Sequence, residues 1–137
     1  MKHIVEDIFN MIFGFFAYMA IEILFRGYTY WLMGLLGAVC FFIIGHINEK
    51  RKKEIGIIWQ GIIGMLVITT AELIVGSILD IYGIRMWSYE DRWMNYKGLI
   101  CPAFSMFWFI LSIAVVILDD TLRCIIFKEK RRNYKWI

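Results

Sequence analysis

Proline is almost missing from this chain, cysteine is sparse, and no polar stretch is long enough to form a separate soluble domain. A single proline in 137 residues leaves long helices uninterrupted, since an interior proline removes a hydrogen bond and clashes with the preceding turn. Cys40, Cys101 and Cys124 make an odd count without CxxC or Cys/His spacing, which argues against a zinc site or a disulfide framework and leaves them as small hydrophobes. No phosphate-cradling glycine loop, HExxH, GxSxG or dense His/Asp cluster is present, so no catalytic residue, metal or cofactor is expected. The chain does not encode an ATPase, so any active transport would need another subunit or an ion gradient.

What the chain has is apolar length. Hydrophobic residues make up 61% of it and aromatic residues 18%. They gather in four stretches, about residues 8–25, 28–47, 55–79 and 99–118, each near the ~20 residues that cross ~30 Å of hydrocarbon. The expected fold class is all-α, a polytopic four-transmembrane-helix bundle forming one membrane domain over residues 1–137, with a basic tail at 121–137. The segment MKHIVED before the first stretch carries two acids and lacks a basic start, so that stretch reads as a retained helix rather than a secretory signal.

Charge assigns sides to these helices. Of the 15 Lys and Arg, all but Arg26, Arg85, Arg92 and Lys97 fall at Lys2, in the Lys50–Lys53 loop, or from Arg123 onward. The positive-inside rule then places both termini and that loop in the cytoplasm, as for a multipass inner (plasma) membrane protein. Lys50, Arg51, Lys52, Lys53, Lys130, Arg131 and Arg132 are expected at lipid headgroups. The bilayer is the expected partner, with a second copy or another membrane subunit, and no nucleic acid.

Small residues mark two helix faces, Gly34, Gly37, Ala38 and Gly45 in the second stretch and Gly56, Gly61, Gly64, Ala71 and Gly76 in the third. Such faces let backbones approach closely, inside the bundle or between copies. On the outer side, residues 80–98 set Tyr82, Trp87, Tyr89, Trp93 and Tyr96 among charges. That pattern suits an interfacial segment, either an aromatic anchor or a lid over an outward cavity. Asp119 and Asp120 mark the expected cytoplasmic exit of the last helix, with Arg123 spaced to pair with either. His46 and His3 near the inner surface read as hydrogen-bonded packing residues rather than ligands.

The residues that invite a functional reading are the acids at membrane depth. Glu72 stands ~25 Å along its helix from Ile55 and Glu22 ~21 Å from Ile8, at 1.5 Å per residue, so both lie in the outer half. A carboxylate there costs ~2.5–3.5 kcal/mol on insertion scales and faces a partner or a wet cavity. Thr69 and Thr70 precede Glu72, and Arg26, four residues beyond Glu22, is placed to form an ion pair with it. If the first and third helices packed side by side, the two glutamates would share a proton or hold a cation. Each half of the chain repeats the plan of a helix with an outer glutamate followed by a descending helix, a weak parallel two-plus-two pattern.

Residues 21–49, with Phe25, Arg26, Gly27, Tyr28 and Thr29 followed by Asn48 and Glu49, carry a further signal. So do Glu72 with Gly76, Trp87 with Tyr89, and Asn95, Gly98, Cys101, Phe104 and Trp108. These residues resemble the small bacterial multipass proteins of the CmpB-type ABC transporter permease family. The chain departs from that pattern at Leu99, where Gln is frequent, and at Arg92 and Trp93. The resemblance implies an inner-membrane transport component.

Together these readings give a transport-type or channel-like component, more a binder than an enzyme, and oligomeric. Glu22 and Glu72 would line an outward polar pocket with Arg26, Thr69, Thr70 and Asn95, and Trp87, Tyr89 and Trp108 would shape its mouth. The alternative is a non-transporting interaction or regulatory protein, a partner subunit or membrane-acting effector, in which the glutamates serve packing alone.

Overall fold

The computed structural model describes residues 1–49, 55–128, 130 and 136–137. These residues form four α-helices and no strand: α1 (Lys2–Arg26), α2 (Trp31–Glu49), α3 (Ile57–Ile81) and α4 (Pro102–Phe127). Only an isolated bridge, Tyr96 with Ile100, interrupts the helical pattern. The basic residues Lys50, Arg51, Lys52, Lys53, Arg131 and Arg132 lie outside the described residues, and Lys130 is exposed.

The helices run past the apolar stretches because hydropathy marks membrane depth, not where hydrogen bonding stops. At the start of α1, Lys2 and His3 sit 3.7 and 3.4 Å from Glu6, pairs one helical turn apart that support a polar first turn. α4 continues beyond Leu118 through Asp119 and Asp120, because Arg123 lies one turn on and bonds Asp119. The turn between α1 and α2 needs Gly27, which adopts φ 78° and returns its N–H to the Ile23 carbonyl, the left-handed cap a side chain disfavours.

α1 packs along α2 and α3 along α4, making two hairpins; α2 also touches α3 and α4, α1 meets α4 sparsely, and α1 and α3 are not in contact. The small residues make these approaches. A Cβ on Gly37 would lie 3.1 Å from the Gly14 carbonyl oxygen, and one on Gly61 would lie 2.8 Å from Phe109 and Ile113. The glycine faces of α2 and α3 are thus occupied within the chain.

Polarity is distributed inside out. The buried face of α1 is Glu6, Asn10, Gly14, Tyr18 and Glu22, while Ile4, Ile8, Ile12 and Phe16 face outward. α3 buries Gln60 and Glu72 and exposes Leu66, Ile74 and Ile78. In water this would be unfavourable, since apolar area costs ~25 cal/mol per Å² when exposed; in hydrocarbon it is the favoured arrangement. α1 and α3 are long and apolar enough to cross a membrane.

Candidate functional site

Two polar clusters stand at opposite ends of the bundle. The first lies where the C-terminal end of α1, the N-terminal end of α4 and residues 82–101 converge. Arg26 reaches back one turn to bond the Glu22 carboxylate, which Thr29 also approaches at 3.5 Å. The other arm of Arg26 donates to the Met86 carbonyl at 3.3 Å, tying α1 to the segment 82–101, and its guanidinium lies 5.6 Å from the centre of the Tyr28 ring.

Glu72 is held differently. Trp108 Nε1 donates to one carboxylate oxygen at 3.1 Å and the Tyr89 hydroxyl donates to the other at 3.3 Å. Both donors are neutral, and among the described residues no cation stands within ion-pair distance of this carboxylate. Because α1 and α3 are not neighbours, Glu22 and Glu72 do not meet across a helix contact; Tyr18 and Trp108, stacked with centroids 5.9 Å apart, fill the space between those helices. The Tyr18 hydroxyl is buried there without a hydrogen-bond partner.

Tyr89 turns inward because its ring stacks on Phe104 at 4.5 Å. Burial, with Glu72 beside it, pushes the Tyr89 phenol well above its ordinary value. Trp87 is buried against Gly76 and donates Nε1 to the Leu99 carbonyl at 3.0 Å. Arg85 bridges Asp80 and Glu90 at 3.1 and 2.9 Å, holding the exposed rim. Residues 82–101 therefore fold onto the bundle, and Tyr82, Trp93 and Tyr96 stay exposed.

A cavity of about 260 Å³ opens in this region, walled by Ile21, Glu22, Phe25, Arg26, Ser88, Tyr89, Asp91, Arg92, Phe104, Phe107 and Trp108. Of the residues singled out in the sequence, it brings together Glu22, Arg26, Tyr89 and Trp108, with Glu72 behind the Tyr89 and Trp108 rings. Thr69 instead meets Ser105 of α4 at 3.2 Å, hydroxyl to hydroxyl, and Thr70 is exposed. Asn95 closes its own turn, donating to the Glu90 and Arg92 carbonyls and accepting from the Gly98 N–H. Asp91, Arg92 and Ser88 join the wall, of which the sequence marks only Arg92, as a departure from the family pattern.

The second cluster, at the other end, is denser. Arg123 donates from Nε to Asp119 at 3.1 Å and from a terminal nitrogen to Glu6 at 3.4 Å, and Asn10 donates to the other Asp119 oxygen at 2.6 Å. Glu6, Asn10, Asp119 and Arg123 are all nearly inaccessible. Gly45 leaves room for them, since a Cβ there would lie 3.0 Å from the Asp119 carboxyl carbon. His46 pairs with Asp7 at 3.3 Å and approaches the Phe42 carbonyl. The four-residue spacing of Glu6, Asn10, Gly14, Tyr18 and Glu22 was the signal that could have revealed Glu6 and Asn10.

A family model described as "putative ABC-transporter type IV" matches residues 2–135, nearly the whole chain. No curated protein and no solved structure matches it.

Proposed function

Since the chain belongs to this ABC-transporter-related family, we propose that it is a transport-type membrane component whose binding pocket is the cavity at the end of α1 and α4. The observation that carries this reading is a cavity walled by two ion pairs, Glu22–Arg26 and Asp91–Arg92, and five aromatic rings, in a bundle whose outer surface is apolar. Small-molecule sites combine those elements, an apolar wall with a few oriented polar groups.

Four spans fit this reading. α4 carries no charge from Pro102 to Leu118, and the rings and charges of residues 82–101 suit a headgroup layer. The positive-inside balance turns the cavity outward and both termini inward, in the plasma membrane. Within the pocket, Glu22 and Arg26 present a fixed dipole. Glu72, held by neutral donors only, is the acid able to change charge state without breaking an ion pair.

The test is a high-resolution structure of the chain in lipid nanodiscs. Ordered water, an ion or a ligand beside Glu22 and behind Tyr89 is expected. A dry, filled cavity would overturn the proposal and favour an interaction protein with structural glutamates.

A further inference from the structure

We propose that the cavity receives the headgroup of a zwitterionic membrane amphiphile, which enters sideways between α1 and α4. This rests on the outward, membrane-embedded reading above and names the substrate class for that pocket. A second recess of about 150 Å³, lined only by Phe25, Ala103, Phe104 and Phe107, adjoins the first and shares three of its residues. The two therefore make one path, polar at one end and wholly apolar at the other. That path lies between α1 and α4, which meet sparsely, and Phe25, 69% exposed, stands at its edge with its ring 5.3 Å from that of Phe107. An opening of this kind faces acyl chains.

Charge selects the occupant. The polar end presents two cations, Arg26 and Arg92, and two acids, Glu22 and Asp91, so a headgroup of either net sign would meet as much repulsion as attraction. A group carrying both signs would not. Guanidinium matches phosphate geometry, and Arg26 uses two bonds, to Glu22 and Met86, of the five N–H donors that an arginine has. Arg92 lies over the Phe104 ring, 5.8 Å from its centre, between the polar and apolar parts. A volume of about 260 Å³, just under the ~300–1,000 Å³ of drug-sized pockets, suits a headgroup but not a whole lipid. A partner's helix would cover the apolar recess but leave the charged end unfilled.

The experiment places the purified full chain in vesicles of mixed phosphatidylethanolamine and phosphatidylglycerol with a phosphatidylethanolamine probe carrying a diazirine near the glycerol. Cross-links at Phe104 and Phe107 should exceed those at the outward-facing Leu66 by about tenfold, corresponding to ~1.4 kcal/mol of preference. Short-chain phosphatidylethanolamine should compete and short-chain phosphatidylglycerol should not. Arg92→Glu, at an exposed position that spares the fold, should abolish the excess, as should Ala103→Trp. Equal labelling of Leu66 and Phe107, or equal competition by both lipids, would overturn the proposal. Thiol labelling of Ser88→Cys from the outer side separates the two readings. Without it the outward pocket fails as well; with it, even labelling removes only the amphiphile.

Discussion

The two ends of the α1–α4 contact solve the same problem in opposite ways. At one end, Arg123 and Asn10 close over Glu6 and Asp119 so that charge is met by charge and the helices are fastened. At the other, Glu22 and Arg26 pair along α1 itself, and α1 meets α4 through aromatic rings, Tyr18 on Trp108 and Phe25 on Phe107, beside a cavity. The comparison teaches that a buried ion pair joins helices only when its partners come from different ones. A pair within one helix neutralises charge without fastening the neighbouring helix.

The most severe way to break this contrast is at the fastened end. Arg123→Leu would leave Glu6 and Asp119 buried without their cation, and losing one partner of a buried pair costs ~3–5 kcal/mol. A large loss of thermal stability in detergent is expected, whereas Arg26→Leu, beside a cavity that water can enter, should cost less than half as much. Equal losses would erase the distinction. Next, Gly37→Ala forces the α1–α2 crossing apart against Tyr18 and the Gly14 carbonyl, and overpacking of this kind costs ~1–3 kcal/mol. The same melting experiment measures it, and the Tyr18–Trp108 stack should loosen with it.

Glu72→Gln sharpens the comparison at the open end. The amide oxygen still accepts from Trp108, but the amide nitrogen cannot accept from Tyr89 and must instead donate to the phenol oxygen, so a bond to a carboxylate is exchanged for a weaker neutral one, at a cost of ~0.5–1.5 kcal/mol. Folding should survive, and any ligand response of the cavity should lose its pH dependence. A pH series on Tyr89 gives the next effect. Its phenol stays protonated in the folded chain above the pH at which an unfolded tyrosine ionises, near ~10. Above that pH the unfolded state binds fewer protons than the folded one, so stability falls as pH rises. Tyr89→Phe should make the alkaline decline shallower in melts between neutral and alkaline pH. The smallest effect is expected at the rim, where Arg85→Ala removes partly exposed pairs worth ~0–1 kcal/mol.

The helices were legible because runs of about twenty apolar residues between charged loops admit few other arrangements. Their ends were less so. Glu6 and Asp119 look like the edges of spans in a hydropathy reading, yet both lie inside helices, since an acid can remain helical and buried when a donor from another helix reaches it, Arg123 for Glu6 and Asn10 for Asp119. Glu22, Arg26, Tyr89 and Trp108 could be named because a charge or an aromatic at membrane depth is conspicuous in isolation. Asp91, Arg92 and Ser88 could not, because a charged residue in a polar turn is ordinary until the chain folds back over α4. The relation of Glu22 to Glu72 was hidden for the same reason, as depth along a helix says nothing about which helices are neighbours.

The most direct test is accessibility of single introduced cysteines to a membrane-impermeant maleimide, with Ser88→Cys at the cavity and Lys2→Cys at the fastened end, in sealed vesicles of both orientations. The account predicts that Ser88→Cys is labelled only from the outer face and Lys2→Cys only from the inner. Labelling of both from the same face, or of Ser88→Cys only from the inner face, would contradict it.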